Sequence, residues 1–426
     1  MTSFVIFGSL ALFLILGVPV GFSLGFASLA YILYTGQLTY GFIAQNMVTA
    51  ADSFPIMAIP FFVFAGELMG GGGISKRLLD VANVFFGRIT GGMAIVTVVV
   101  CMFFAAISGS GPATVAAVGG MVVPTMLEKG YDKKFVLALI AAAGSIGVII
   151  PPSIPMVVYS VTTNSSVSKL FMAGIVPGVI IGFGLILYSY IFSKKNGYKG
   201  DDSTFDSKEA FRIAWDAKWA LATPVIILGG IYGGIFTPTE AAAVSVIYSL
   251  VVGILIYKEI DFKKLVDLTK GACETTASIL IVIGCAAGFS KVLTLGRIPI
   301  TVANALTSLT DNVFLILLLI NVLLLVVGCF METLCAIMIL APIFLPVITG
   351  LGVDPVHFGI IMVVNLAIGF ITPPLGVNLF VAARVGETSL DDVIKGIIPF
   401  LFVMIAILLL LTFIPTISLF LPSIFT

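Results

Sequence analysis

Four apolar segments of this sequence contain residues that could do chemistry. Two are glycine-rich joints at residues 108–114 and 328–333, and two contain double prolines, at residues 144–155 and 369–378. A proline inside a helix removes a backbone donor and clashes with the carbonyl one turn earlier, so each double proline must break its helix. The backbone groups freed in this way are tolerated in a membrane only where they face protein or a water-filled cavity.

These segments predict a site for a cation and an organic anion. Helix C-termini carry free carbonyl groups that suit Na⁺, and helix N-termini carry free N–H groups that suit an anion. Neutral oxygens, which are hard ligands for an alkali ion, are added by Ser108, Ser110, Thr114, Ser145, Ser153, Thr333, Thr372 and Asn378. The alternative is that the Gly-Ser and Pro-Pro segments only permit tight helix packing.

Charged residues near these segments are few. Glu332 is the carboxylate of the second joint, and it could bind a cation, carry a proton or cap a helix. Arg384 follows the second double proline and could attract a carboxylate, although snorkelling to the membrane surface is the preferred interpretation.

Four further carboxylates lie near the ends of apolar segments. Asp52 and Glu274 are interpreted as helix N-terminal caps, and Glu67 and Glu240 as interfacial or packing residues.

The composition identifies the surrounding elements as membrane-spanning helices. The 426 residues are 60% hydrophobic and 10% charged, with a mean hydropathy of +1.21, whereas a soluble domain carries about 25% charged residues. At about 20 residues per span, the chain can cross a membrane roughly ten times. Zero net charge argues against a nucleic-acid partner. His357 is the single histidine and no CxxC pair exists, so we expect no cofactor, no metal other than Na⁺ and no enzyme activity.

The two halves of the sequence repeat one unit at an offset of 222 residues. Residues 124–177 and 346–399 share eleven identities over 54 positions without a gap, and seven of these are Gly or Pro. The match therefore lies where backbone geometry is decided. The first unit is predicted at residues 1–192, with a re-entrant hairpin at about 93–127 and a broken span at about 134–163. The second is predicted at 237–426, with a hairpin at about 313–348 and a broken span at about 357–383.

Lysine asymmetry predicts that the two units are inverted. The turn at 128–134 carries three lysines, whereas its counterpart at 350–356 carries no Lys or Arg, which puts the first turn in the cytoplasm and the second outside. Residues 193–218 are then a cytoplasmic linker, and 219–236 an extra span that inverts the second unit. The first apolar segment, 4–34, is interpreted as one kinked span. This all-α, polytopic, inverted-repeat organisation is typical of secondary transporters.

Motifs along almost the whole chain resemble one transporter family. The motifs GVPVGFSLG, GGIYGGIFTPTEAAAV, SGSGPATVAAVG, GSIGVIIPPSIPMVVY, LAPIFLP and GFITPPLGVNLFV are similar to the large membrane subunit of tripartite ATP-independent periplasmic (TRAP) transporters. The resemblance implies an ion-transporter-superfamily fold with a stationary scaffold and a mobile elevator domain. It also implies Na⁺-driven uptake of an organic acid of C4-dicarboxylate or sialic-acid type across the bacterial inner membrane. The implied partners are the lipid bilayer, a small four-helix membrane subunit and a periplasmic substrate-binding protein.

The resemblance also implies the contacts of each ligand. The implied Na⁺ contacts are Ser108, Gly109, Ser110, Thr114, Gly144, Ser145, Gly147, Gly328, Thr333, Gly369, Thr372 and Pro373. The implied substrate contacts are Ser110, Pro112, Pro152, Ser153, Glu332, Pro374, Asn378 and Arg384.

Three alternatives to this function remain open at this point. The nearest is a stand-alone Na⁺/dicarboxylate symporter of the same superfamily, which needs no binding protein. An intramembrane enzyme and a passive channel are the alternatives from other functional classes.

Overall fold

The fold is built from helices. A computed structural model describes residues 2–36, 39–200, 206–310 and 312–425, and the described residues form 21 α-helices with short 3-10 and π segments and no strand. Seven of the described helices are long and apolar enough to cross a membrane, judged by length and composition. The prediction of an all-α chain is confirmed.

The first apolar segment is two helices rather than one kinked span. Helix α1 (Thr2–Ile15) ends before a turn at Gly17, and α2 (Val20–Thr35) runs back alongside it. The rings of Phe13 and Phe26 consequently lie 5.3 Å apart, whereas 13 residues of continuous helix would separate them by about 20 Å. The prediction of a single kinked span is therefore wrong.

The next helices lead to the first hairpin. Helices α3 (Tyr40–Ala51) and α4 (Ala58–Gly71) are joined by a 3-10 turn, and Asp52 follows the C-terminal end of α3 instead of capping a helix N-terminus. Helix α5 (Ile74–Phe86) is amphipathic and buries Ile74 and Leu78. The hairpin consists of α6 (Gly92–Ser108) and α7 (Gly111–Glu128).

The first double proline interrupts a fully buried segment. Helix α8 (Lys133–Ser145) passes through a short 3-10 turn and a cis Pro151–Pro152 bond before α9 (Ile154–Thr163) begins. Asp132 starts α8 by accepting a hydrogen bond from Phe135 N at 2.9 Å. All residues from 135 to 160 are buried. Helix α10 (Val167–Asn196) then ends the first half.

The middle of the chain contains one amphipathic helix and a helix pair. Residues 201–205 of the predicted linker lie outside the described residues, and α11 (Ser207–Asp216) follows them. Helices α12 (Lys218–Tyr232) and α13 (Pro238–Leu250) are antiparallel, since Tyr248 Oη donates to Trp219 O at 2.7 Å. This pair has the same form as α1 and α2. The helix at 219–236 thus has a counterpart in the first half, contrary to its interpretation as an extra span.

Arg77 ties three of these elements together. Its guanidinium group lies 3.0 Å from the Asp216 carboxylate on α11 and 2.8 Å from the Glu259 carboxylate, which precedes α14 (Phe262–Leu295). It also stacks 3.6 Å from the centroid of the Tyr257 ring. Although burial opposes the charged form, the hydrogen bond with Glu259 and the charge of Asp216 raise the pKa of Arg77.

The second half repeats the helix bounds of the first. Its remaining helices are α15 (Ile298–Leu309), α16 (Val313–Phe330), α17 (Thr333–Gly350), α18 (Pro355–Gly369), α19 (Val377–Val385), α20 (Leu390–Phe413) and α21 (Pro415–Phe425). The starts of α14, α17 and α18 follow the starts of α3, α7 and α8 by 222 residues each. The second Pro-Pro bond, at Pro373–Pro374, is also cis.

Two carboxylates have roles in helix structure that differ from those predicted. Glu274 lies inside α14, which begins twelve residues earlier than a cap at this position requires, so the prediction of an N-terminal cap is wrong. Glu240 completes a capping box with Thr237 at the start of α13: its carboxylate accepts from Thr237 N at 2.8 Å.

Candidate functional site

The first joint packs directly on the first helix break. A methyl group added to Gly147 would lie 2.6 Å from both Ser110 O and Thr114 Oγ1, and one added to Gly109 would lie 2.7 Å from Pro152 O. Heavy-atom contacts this short are not tolerated, so glycine is required for the backbones to meet. The structure therefore brings together the first joint and the first double proline, as the sequence predicts for one site.

Three oxygens converge at this contact. The Ser108 and Thr114 hydroxyl oxygens are 3.1 Å apart, and Thr114 Oγ1 donates to Ser110 O at 2.7 Å. Ser108 is 4% exposed and Thr114 is fully buried. Buried neutral oxygens on a tight turn have lone pairs to offer a hard cation such as Na⁺. We name Ser108, Ser110 and Thr114 the oxygen cluster.

The hydroxyl groups of the first break itself are used within their own segment. Ser145 Oγ donates to Ala142 O at 2.6 Å and lies 3.7 Å from Met404 Sδ. Ser153 Oγ donates to Val148 O at 2.5 Å and caps α9 by accepting from Met156 N. These two side chains thus hold the shape of the break, and neither hydroxyl hydrogen-bonds with the oxygen cluster. Gly144 packs on Val115 of α7.

The second joint and break meet in the same way but in different surroundings. A methyl group on Gly328 would lie 3.1 Å from Gly369 Cα, and one on Gly369 would lie 2.5 Å from Gly328 O. Thr372 Oγ1 donates to Ile368 O at 2.7 Å. Whereas the first break is buried throughout, the second is partly buried at Pro373, and exposed at Pro374 and Leu375.

Asn378 connects the second break to the first half of the chain. Its Nδ2 atom donates to Ala141 O at 3.1 Å, near the C-terminal end of α8. Its backbone N–H donates to Phe370 O across the break. The side chain is fully buried, and its Oδ1 atom has no hydrogen-bond partner among the described residues. The two breaks are therefore neighbours in space.

A cavity of about 520 Å³ lies between the two joints. The first turns of four helices contribute to its wall: Pro112 of α7, Ile154 of α9, Leu334 of α17 and Val377 of α19. Helix N-termini carry a partial positive charge and unpaired N–H groups. Their convergence makes this cavity suited to an anionic group.

The polar lining of this cavity comes from both joints and from α14. Ser110 belongs to the first joint, Glu332 and Thr333 to the second, and Thr275 and Ser278 to α14. Glu332 is the N-cap residue of α17 and makes no side-chain capping bond. Thr333 Oγ1 is buried without a hydrogen-bond partner among the described residues.

Several implied substrate contacts lie away from the cavity. Its described lining includes Ser110, Pro112 and Glu332 but excludes Pro152, Ser153, Pro374, Asn378 and Arg384. Arg384 lies exposed in the last turn of α19, in agreement with the preferred interpretation that it snorkels. Sequence reasoning missed Thr275 and Ser278, although a run of Thr and Ser inside an apolar helix was an available signal.

A buried polar chain behind the second joint was also missed. Asn365 Nδ2 of α18 donates to Asn321 Oδ1 of α16 at 2.8 Å, and Asn321 Nδ2 donates to Thr412 Oγ1 of α20 at 2.9 Å. All three side chains are at most 1% exposed. These hydrogen bonds fix the register of α16, α18 and α20 around the second break.

The sequence match to known proteins decides the family. Residues 7–417 match the family described as tripartite ATP-independent periplasmic transporter, DctM component. The chain belongs to this family. The predicted membership among TRAP large membrane subunits is confirmed, and the DctM family is a family of transporter permeases.

Individual relatives of this DctM-family chain carry different substrate names. It is 52% identical over 416 residues to the isethionate TRAP transporter permease protein DctMQ of Oleidesulfovibrio alaskensis, covering 98% of this chain but 66% of that protein. It is 41% identical to the C4-dicarboxylate TRAP transporter large permease protein DctM of Pseudomonas aeruginosa, covering 94% of each. It is 38% identical to the sialic acid TRAP transporter large permease protein SiaM of Vibrio cholerae, covering 99% and 98%.

A solved structure agrees with the fold. The YdaH transporter of Alcanivorax borkumensis superposes with a TM-score of 0.64 at 17% identity, covering 88% of this chain and 87% of that one. At this identity the likeness concerns the fold alone, and it supports the helical transporter architecture.

Proposed function

We propose that this DctM-family chain is the large permease subunit of a Na⁺-coupled importer of an organic acid in the bacterial inner membrane. The observation that carries the proposal is the cavity between the two joints, where four helix N-termini and the hydroxyl groups of Ser110, Thr333 and Thr275 meet. This lining suits a carboxylate head together with hydroxyl groups, as in a C4-dicarboxylate or a sialic acid.

Na⁺ coupling is supported by the oxygen cluster beside the cavity. A cation bound there lies next to Ser110, which also lines the cavity. Positive charge at that position favours an anion in the cavity, so occupation of one ligand site raises the affinity of the other. By the offset of 222 residues, a second ion site is proposed at the second joint and break.

An elevator mechanism with inverted repeats is supported by the matched helix bounds of the two halves. With α1 and α2 as two helices, each half has an odd number of crossings, which inverts the second unit without an extra span. In this mechanism the hairpins and breaks move as one body against α4 and α14. The linker at 193–218 is then cytoplasmic, in accord with its lysines.

The partners follow from the family. We propose a small four-helix membrane subunit and a periplasmic binding protein that delivers the substrate. The DctMQ relative, of whose length this chain spans 66%, indicates by its name that the two membrane components can be fused. The alternative is a stand-alone symporter.

A small hydroxysulfonate is a second candidate substrate. The relative that is 52% identical to this chain is named for isethionate, and a sulfonate makes the same demand for N–H donors as a carboxylate. Competition by C4-dicarboxylates, sialic acids and isethionate in one assay distinguishes these classes.

Reconstitution tests the proposal. The chain, its small subunit and its binding protein are placed in liposomes, and uptake of labelled acids is measured with and without an inward Na⁺ gradient. We expect saturable uptake that needs both the gradient and the binding protein. Uptake by the chain alone would support the stand-alone symporter, and equal uptake without Na⁺ would refute Na⁺ coupling.

A further inference from the structure

Glu67 lies where α4 crosses the first joint. The neighbouring Gly66 packs on the joint so closely that an added methyl group would lie 3.3 Å from Ser108 Cα. Glu67 is therefore beside the oxygen cluster and not at a membrane surface, which corrects its interpretation as an interfacial or packing residue. A carboxylate at such a depth in a membrane protein is costly unless it has a function.

A second cavity, of about 610 Å³, has Glu67 in its wall. The other polar side chains of its lining are Ser108, Ser110 and Thr275. Among its described lining residues there is no Lys, Arg or His. The cavity thus combines one carboxylate with three hydroxyl groups and no opposing charge from the protein. Such a donor set suits an alkali cation, which would supply the missing positive charge.

The two cavities share one wall. Ser110, Pro112, Ile154, Thr275 and Ile279 line both of them. A cation held near Glu67 is therefore separated from the oxygen cluster and from the substrate cavity by this shared lining alone. Because Glu67 belongs to α4 while Ser108 and Ser110 belong to the first joint, such a cation would also lie between two elements that move apart in an elevator mechanism.

We propose that Glu67, with Ser108 and Thr275, forms a loading site for Na⁺ that holds the ion before it reaches the oxygen cluster. The inference rests on the proposed Na⁺ coupling and adds a carboxylate to it. Loss of the Glu67 charge lowers the occupancy of Na⁺ at low concentration, but it leaves the oxygen cluster intact, so binding at saturating Na⁺ is preserved.

Equilibrium binding of radioactive sodium to the purified full chain in lipid nanodiscs tests the proposal, with choline chloride holding ionic strength constant. Glu67→Gln should raise the half-saturating Na⁺ concentration about threefold to thirtyfold, as expected for the loss of one nearby charge. Glu128→Gln removes an exposed carboxylate at the end of α7 and is the matched control; it should leave the value within twofold.

Two further variants keep the test decisive if Glu67→Gln folds poorly. Glu67→Asp keeps the charge and should shift the value less than Glu67→Gln, and Thr275→Val should raise it about twofold to fivefold through loss of one hydroxyl ligand. Wild-type affinity in Glu67→Gln, or in both other variants, would overturn the loading site while wild-type Na⁺ binding upholds the coupling. No saturable Na⁺ binding by the wild-type chain would overturn both.

Discussion

Asn378 and Ala141, which are 237 positions apart in the sequence, are joined by a buried hydrogen bond of 3.1 Å from Nδ2 to the backbone carbonyl. The bond links the helix after the second break to the helix before the first. The two breaks are consequently held at a fixed distance, so a movement of one is transmitted to the other.

Replacing Asn378 by Asp should weaken this link. The carboxylate keeps the size of the side chain but cannot donate to Ala141 O, and leaving buried polar groups unpaired costs about 1–3 kcal/mol. We expect Na⁺-dependent uptake to fall about tenfold or more while the protein remains in the membrane. Asn196→Asp is the control, because Asn196 Nδ2 makes the same kind of bond, to Phe192 O at 2.9 Å, at an exposed site. Equal uptake by both variants would contradict the prediction.

A methyl group at Gly147 should separate the first joint from the first break. The added carbon meets Ser110 O and Thr114 Oγ1 at 2.6 Å, and overpacking of this kind costs about 1–3 kcal/mol. We expect Gly147→Ala to lower Na⁺ affinity about tenfold or more, measured as the half-saturating concentration for binding or uptake. Gly120→Ala on α7 is the matched control, since no other residue lies within 4 Å of its added carbon. A Gly147→Ala variant with normal Na⁺ affinity would disprove the role of this contact.

Replacing Pro151 and Pro152 by alanines should abolish Na⁺-dependent uptake. Without the prolines α8 and α9 can join into one helix, whose hydrogen bonds engage the carbonyl groups that the break exposes. Membrane insertion, measured by extraction and size-exclusion chromatography, should be unchanged. Pro224→Ala removes a proline from the interior of α12, away from both breaks, and should retain uptake. Normal transport by the double variant would sink the assignment of the first site.

Arg77→Ala should loosen the packing of α5, α11 and the segment before α14. The arginine side chain is 18% exposed and contacts Asp216, Glu259 and Tyr257. Because both carboxylates are partly exposed, we expect a loss of about 1–2 kcal/mol, seen as a lower midpoint of thermal unfolding. Arg212→Ala removes an arginine of α11 whose ion pair with Glu209 is exposed, and should have little effect. A raised salt concentration should reduce the difference between wild type and Arg77→Ala.

The sequence predicted those parts of the site that depend on the local backbone. Both double prolines break their helices, and both glycine-rich joints pack on the corresponding break, because these residues impose backbone geometry whatever surrounds them. The reversal at Gly17 was missed, since a glycine flanked by apolar residues is compatible with both a kink and a turn.

The missed site residues depend on packing between distant elements. Glu67 and Thr275 lie on α4 and α14, and only the crossing of these helices over the first joint brings them to a cavity. The Asn321–Asn365 bond likewise joins helices whose facing sides no periodicity of one sequence identifies. The exposed position of Arg384 followed from its place after the break, where a long basic side chain reaches the surface.

The different surroundings of the two breaks bear on how a duplicated chain diverges. Ser153 and Leu375 occupy the same position of the two proposed units, yet the first is a fully buried capping residue and the second is 48% exposed. Substitution at the buried copy is limited by volume and by an unpaired carbonyl, while the exposed copy is limited only by its surface. Once duplicated, the unit was therefore free to change one copy faster than the other, and this accounts for identities that survive mainly at Gly and Pro.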